Sequence, residues 1–313
     1  MTETIITIVG GLALFLFGMK IMSEGLQKVA GPKMRKILGV MTGNRFAGVG
    51  TGLLVTSAVQ SSSATTVMLV GFVHAGLVNL PQSIGVIMGA NIGTTFTGWL
   101  VALLGFKIKI AAMALPAVAL GIVPRLFGAR KWADWGEVLI GFGVLFLGLD
   151  FMKDSVHHLR ESETIISWMS ATRADVITWR LLAVGVGTLV TLLVQSSSAT
   201  MAITMTLAAQ GLIDLPTACA LVLGENIGTT VTANLAAIGA SASARQAARA
   251  HLMFNITGAL WALVLFTPFL FLVDLIVPGD AGSGGEAVIA AHLAGFHSAF
   301  NVINTALFLP FVG

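Results

Sequence analysis

Charged residues are scarce in this sequence. Asp, Glu, Lys and Arg make up 10% of the 313 residues, whereas a soluble globular protein carries about 25%. Hydrophobic residues make up 56% of the chain, and its mean hydropathy is +0.92. The composition excludes an ordinary soluble domain and predicts an all-α polytopic membrane protein.

Cysteine is nearly absent, and basic clusters with interleaved aromatic residues are missing. The single cysteine, Cys219, excludes an intrachain disulfide and a metal site built from several cysteines. The small excess of Lys and Arg (17) over Asp and Glu (14) therefore concerns membrane topology, and no nucleic-acid partner is expected. The first apolar run lacks a basic leader and an A-x-A-like cleavage site, so we interpret it as a retained helix.

One polar segment occurs twice, each time inside a long apolar stretch. Gln60-Ser61-Ser62-Ser63-Ala64-Thr65 returns as Gln195-Ser196-Ser197-Ser198-Ala199-Thr200, at an offset of 135 residues. Successive polar side chains are costly in hydrocarbon unless they bind something or one another. Two copies in an internal repeat indicate one site with two halves.

A second motif repeats at the same offset. Gly89-Ala90-Asn91-Ile92-Gly93-Thr94-Thr95 matches Gly224-Glu225-Asn226-Ile227-Gly228-Thr229-Thr230. We predict a first unit over 1–131, a second over 132–277, and a loop with a terminal helix over 278–313. Glycine among small polar residues in mid-membrane predicts a broken helix in each unit.

The flanks of each Gln-Ser-Ser-Ser segment are short for a membrane crossing. The flanks 46–59 and 64–75 would each form a helix of roughly 20 Å, whereas the hydrocarbon core is about 30 Å thick. We therefore expect each polar segment at the tip of a re-entrant helical hairpin.

The order of the remaining segments predicts inverted topology. Each unit would cross the membrane three times, so the second unit would be inverted, and the terminal helix would make seven crossings. Basic loops 28–45 and 125–131 would face the cytoplasm, and loop 278–286, without Lys or Arg, would lie outside. The mixed charge of loop 153–180 weakens this asymmetry.

The serines of the repeated segment suit an oxyanion. Hydroxyls and free backbone N–H groups at the start of a half-helix form an anion site. The predicted phosphate-binding residues are Ser61, Ser62, Ser63, Ser196, Ser197 and Ser198. No arginine lies in either segment, so the anion's charge would need accompanying cations, which argues for ion-coupled uptake.

The second motif offers hard oxygen ligands suited to Na⁺. Its candidate ligands are Asn91, Thr94, Thr95, Asn226, Thr229 and Thr230. Glu225 has two interpretations: it either binds a cation or senses pH, or it makes a structural hydrogen bond. Asn255, in the sequence His-x-x-Phe-Asn, is either part of a polar bridge or a cation ligand. Sodium is the only metal expected. Lys20, near the end of the first helix, is interpreted as snorkelling to the interface.

The paired Q-S-S-S-A-T segments, each followed at the same spacing by G-x-N-I-G-T-T, resemble the type II sodium–phosphate cotransporter family and its bacterial relatives. The resemblance covers roughly residues 45–100 and 180–260. It implies Na⁺-driven symport of inorganic phosphate across a bacterial cytoplasmic membrane, with both segments lining the site and no cofactor. A homodimer is a family-level expectation.

The resemblance also assigns individual residues. It places Gln195, Ser196, Thr229 and Thr232 at positions associated with sodium, and Ser61 and Ser62 in the site. Gln60, the counterpart of Gln195, joins the predicted sodium set.

The chain departs from the family pattern in three ways. It has no large loop with a disulfide between the units and no aspartate in the helix at 111–116, and we expect no PhoU-type C-terminal domain. Charge stoichiometry is therefore open. The alternatives are transport of another oxyanion, phosphate export, or a phosphate-binding scaffold or sensor without transport. An enzyme is not expected, because no G-x-S-x-G elbow and no His–acid pair accompanies the serines.

Overall fold

The computed structural model describes residues 2–30, 44–108, 111–159, 176–282 and 284–312. Regular structure within these residues is helical throughout. The α-helices are α1 Thr2–Ala30, α2 Arg45–Val59, α3 Ser62–His74, α4 Leu80–Leu100, α5 Ala111–Phe127, α6 Arg130–Leu159, α7 Ile177–Val194, α8 Ser197–Ala209, α9 Leu215–Ala236, α10 Ala242–Val264, α11 Phe266–Ile276 and α12 Glu286–Phe308. A π-helical segment, Val101–Lys107, continues α4, and a 3₁₀ turn, Leu309–Phe311, follows α12.

Several of these helices suit a membrane. Within the described ranges, Ile6–Val29, Leu80–Lys107, Arg130–Val156 and Ile177–Val194 are long and apolar enough to span, and the bent pair α10–α11 could supply a fifth span. The chain is therefore a helical membrane protein, as its composition predicts. The helix α7, expected to be a short hairpin arm, has 18 residues and could cross by length. Most of the predicted loops 28–45 and 153–180 lies outside the described residues.

Glycines bring α1 and α6 into close antiparallel contact. A Cβ on Gly11 would lie 2.9 Å from the Gly148 carbonyl oxygen, and a Cβ on Gly25 would lie 2.8 Å from Val138 Cγ2. Midway between these contacts, Gly18 packs on the backbone of Leu145. Since the contacts descend along α6 as they ascend along α1, the two helices run in opposite directions.

Two helical hairpins lie beside this pair. The first joins α2 to α3 at Gln60, and the second joins α7 to α8 at Gln195. The helix α2 packs along α4, and α7 packs along α9. The second arm of each hairpin also contacts the other half of the chain, because α3 packs on α9 and α10 while α8 packs on α4. This exchange fixes the two hairpins relative to each other.

The predicted breaks in the G-x-N-I-G-T-T motifs are wrong. Both motifs lie inside continuous helices, α4 and α9. A Cβ on Gly93 would lie 2.7 Å from the Leu53 carbonyl oxygen, and one on Gly228 would lie 2.6 Å from that of Thr188. The glycines therefore let α2 and α7 approach closely, which is their other common use in membranes.

A break occurs instead where one long helix was predicted. The sequence pattern predicts one apolar helix over about 250–277 to complete the second unit, whereas the structure has two helices there, α10 and α11, which meet at Leu265 with a bend of 90°. Pro268 explains the interruption, because it has no N–H to donate to the Val264 carbonyl and its ring would clash there.

Candidate functional site

Gln60 and Gln195 set the shape of the two hairpin tips. Among the described residues they are the two non-glycine residues with positive φ, at 57° and 56°. Each N–H still donates to the preceding helix, to Thr56 O and Thr191 O, both at 2.7 Å. Left-handed backbone costs a non-glycine residue roughly 1–2 kcal/mol and is concentrated at functional sites. Both tips therefore hold the same strained geometry.

A serine caps the helix that follows each glutamine. Ser61 Oγ accepts the Ala64 N–H at 3.1 Å, and Ser196 Oγ accepts the Ala199 N–H at 3.3 Å. A hydroxyl that accepts in this way still has its own O–H to donate. The first N–H groups of α3 and α8 have no carbonyl of their own helix within reach, so each tip presents donors and partial positive charge to an anion.

The two tips meet at one cavity. Its volume is about 460 Å³, within the usual range of about 300–1,000 Å³ for small-ligand sites. Residues 60–64 line one side and residues 195–198 line another. All six serines predicted to bind phosphate thus border the same cavity, although the two groups of three are 135 positions apart in sequence.

Helix α1 supplies a third wall that the sequence interpretation missed. Leu16, Met19, Lys20, Ser23, Glu24 and Gln27 face the cavity. Their spacing of three and four residues places them on one helix face. The polar residues of this stripe, regularly spaced in an apolar helix, were the sequence signal that could have revealed this wall. Lys20 was predicted only to snorkel to the interface, and it also borders the cavity.

The two glutamines differ in their surroundings. Gln60 is 7% exposed, and its Oε1 accepts the Thr97 hydroxyl at 2.8 Å. Gln195 is exposed. Thr232, which occupies the position of Thr97 in the second half, donates instead to Thr229 O in its own helix, at 2.9 Å. The first tip is tied to α4, whereas the side chain of the second remains open to the cavity.

The predicted sodium ligands divide into two groups. Gln60, Gln195 and Ser196 line the cavity. Those on α4, α9 and α10 are outside its lining: Asn91, Thr94, Thr95, Glu225, Asn226, Thr229, Thr230, Thr232 and Asn255. Thr94 and Thr229 donate to carbonyls one turn earlier, at 3.0 and 2.9 Å. A broken helix would have offered free backbone carbonyls as additional sodium ligands, but α4 and α9 are continuous through both motifs.

Glu225 is a buried carboxylate with one open oxygen. It is 1% exposed, and Oε1 accepts the Thr204 hydroxyl at 2.7 Å. Its Oε2 has no hydrogen-bond partner among the described residues. The structural hydrogen bond thus exists, and it leaves one oxygen for a cation or a proton, since an unpaired buried charge is costly.

The His-x-x-Phe-Asn sequences form polar contacts on two helices. His297 Nε2 and Asn301 Nδ2 both lie 3.3 Å from Asn226 Oδ1. These contacts link α12 to α9 through side chains, and they leave the interpretation of Asn255 on α10 open. Asn255 Nδ2 donates to His251 O at 2.9 Å, and its Oδ1 has no partner within the described part of the chain.

Comparison with known proteins identifies the family of the chain. The family model described as Na⁺/Pi-cotransporter matches residues 14–154 and 164–276. The chain is 32% identical over 302 residues to the uncharacterized protein YqeW of Bacillus subtilis, covering 95% of this chain and 91% of that one. No solved structure matches at a significant level.

Two further relatives carry more specific names. The chain is 28% identical over 312 residues to the "Putative inorganic phosphate export protein YjbB" of Escherichia coli, covering 99% of this chain and 54% of that protein. A shorter match, 39% over 99 residues, links it to the sodium-dependent phosphate transport protein 2A of Rattus norvegicus, covering 30% of this chain and 15% of that one. The chain thus spans only part of these two relatives. The family match over most of the residues confirms the resemblance drawn from the repeated motifs, and the chain belongs to the Na⁺/Pi-cotransporter family.

Proposed function

We propose that the protein is a secondary transporter that couples Na⁺ to the movement of inorganic phosphate, which binds between the two Gln-Ser-Ser-Ser segments. The observation that carries the proposal is the meeting of two capped helix N-termini and six serines at one cavity. These groups supply N–H and O–H donors and helix dipoles, the features that bind a phosphate anion.

The second hairpin tip is the proposed binding place for sodium. The side chain of Gln195 is exposed and Ser196 is next to it. Their oxygens are hard ligands that suit a small cation. A cation bound here would offset the charge of phosphate in the same cavity, which is the physical basis of coupling. Thr229, Thr232 and Glu225 on α9 are proposed as the remaining sodium ligands or their support.

The proposed arrangement in the membrane rests on the internal repeat. We propose two inverted units, 1–131 and 132–277, with hairpin tips near mid-membrane, in a multi-pass protein of the bacterial cytoplasmic membrane. The antiparallel packing of α1 on α6, the first helices of the two units, supports inversion. The identical left-handed tips support the pairing of the hairpins.

Phosphate export is the second candidate function. The name of the E. coli relative refers to inorganic phosphate export, and that relative matches nearly the whole of this chain. The site would be the same in both cases, since only the driving gradient decides the direction of net flux.

Radiolabelled phosphate flux in proteoliposomes tests the proposal. An imposed Na⁺ gradient should drive phosphate movement, and the combined change Ser62→Ala and Ser197→Ala should abolish it. Ser243→Ala is the matched control, because Ser243 is exposed on α10 outside the cavity. Loading phosphate on either side distinguishes import from export.

Three outcomes would contradict the proposal. Undiminished flux in the double variant would show that the serines do not form the phosphate site. Equal flux with and without Na⁺ would show that transport is not coupled to Na⁺. Phosphate binding without flux in either direction would support a scaffold or sensor.

A further inference from the structure

The charges around the cavity are unevenly supplied. The serines and helix termini of the two tips offer only partial positive charge. Among the described residues that line the cavity, Lys20 is the one cation and Glu24 is the one anion, and both lie on α1. An acidic side chain beside a bound anion would repel it, so its presence in this cavity calls for a specific role.

The α1 wall is fixed against the first hairpin. Ser23 Oγ donates to the Val59 carbonyl oxygen, directly before Gln60. Gln27 Nε2 in turn donates to Ser23 Oγ at 3.0 Å. These bonds hold the polar stripe of α1 beside the tip of the hairpin, so that Lys20 and Glu24 flank the serines.

Lys20 remains available to a ligand. Its Nζ lies 4.0 Å from Glu24 Oε1, and the two side chains are 72% and 46% exposed. Such a long and hydrated ion pair is weak. By contrast, Lys28, two turns further along, is bound to Glu137 at 2.6 Å. Lys20 can therefore leave Glu24 for an anion at little cost.

A carboxylate such as that of Glu24 can distinguish oxyanions by their protons. Near neutral pH, inorganic phosphate retains at least one P–OH group, which can donate a hydrogen bond to a carboxylate. Sulfate has no such proton, so a carboxylate beside it meets only like charge. A carboxylate accepts hydrogen bonds and cannot donate them while ionised.

We propose that Lys20 and Glu24 are specificity residues of the cavity: Lys20 binds the oxyanion by charge, and Glu24 accepts the hydrogen bond of a protonated oxyanion and repels a fully deprotonated one. The pair thereby selects phosphate over sulfate. This inference rests on the proposed phosphate site and adds to it the means of discrimination.

Binding of radiolabelled phosphate to the purified full chain in detergent, with sulfate as competitor, tests the pair. Lys20→Met should weaken phosphate binding about tenfold, as expected for loss of a charge-assisted hydrogen bond, and Lys20→Arg should retain most of it. Glu24→Gln should make sulfate a competitor about tenfold stronger relative to phosphate, because the amide no longer repels it. Lys107→Met and Glu286→Gln, exposed or half-exposed charges outside the cavity, are matched controls that should behave as wild type.

The outcomes separate this inference from the proposed function. If wild type binds phosphate, and the Ser62→Ala and Ser197→Ala double variant loses it, unchanged binding by Lys20→Met and unchanged sulfate competition in Glu24→Gln would overturn the inference alone. Absence of phosphate binding by wild type would overturn the proposed site and the inference with it. Thermal unfolding of each variant verifies that it is folded.

Discussion

Gln60 and Gln195 show how two residues with the same sequence context can differ. Both follow a helix in left-handed geometry, and both precede a capping serine. The repeat predicts this equivalence. It does not predict that Gln60 is bound to Thr97 while Gln195 is exposed. That difference depends on whether a hydroxyl from a neighbouring helix reaches the amide, which no local pattern encodes.

The difference between the glutamines leads to a prediction about stability. Gln60→Leu should lower stability by about 1–3 kcal/mol, because it leaves the buried Thr97 hydroxyl without its acceptor. Gln195→Leu should leave stability nearly unchanged, because its side chain is exposed. Thermal unfolding in detergent measures both, and the two variants share the same backbone strain. Equal melting temperatures would show that the burial of Gln60 is energetically unimportant.

Glu225 leads to a prediction about sodium. Glu225→Gln replaces an ionisable carboxyl group, whose Oε2 is open, with a neutral amide, while the amide oxygen can still accept from Thr204. The sodium concentration for half-maximal phosphate flux should rise severalfold, since a cation loses a charged ligand. Flux measured against sodium concentration tests this. Glu286→Gln, at a half-exposed ion pair with Lys153, is the control. Superimposable sodium curves for Glu225→Gln and wild type would return Glu225 to a purely structural role.

At the scale of helices, two glycines show why the motifs alone predicted helix breaks wrongly. The sequence pattern predicts breaks at Gly93 and Gly228, whereas both lie in continuous helices and let the backbones of α2 and α7 approach closely. Both uses of glycine are common in membranes. Only the neighbouring helix, which is distant in sequence, decides between them.

The α1–α6 contact leads to a prediction at the same scale. Gly18→Ala should destabilise the protein by about 1–3 kcal/mol, because its Cβ would collide with the backbone of Leu145. Gly10→Ala, eight residues earlier on the same helix, should be neutral or slightly stabilising, because nothing lies within 4 Å of its Cβ. Thermal unfolding measures both variants. A tolerated alanine at position 18 would mean that the two helices do not pack this closely.

At the scale of the whole molecule, inverted topology leads to a labelling prediction. The turn at Ala129 should face the cytoplasm and the loop at Gly282 should face the outside, because only the first belongs to a basic loop. Both positions are exposed, and the native Cys219 is buried. Ala129→Cys and Gly282→Cys should therefore react with a membrane-impermeant thiol reagent from opposite sides of the membrane. Reaction of both from one side would contradict the inverted arrangement.

Composition and the two repeated motifs were sufficient to establish a helical membrane protein of the Na⁺/Pi-cotransporter family, because hydropathy and motif identity are local properties of the chain. The length of the hairpin arms was predicted only in part, because α7 has 18 residues and could cross the membrane. The cavity itself required the folded chain. Residues 60–64 meet residues 195–198 only because α3 and α8 each pack on the other half, and α1 closes the space with Lys20 and Glu24 because glycines hold it against α6. Contacts between distant segments depend on helix packing, and packing is a property of the folded whole.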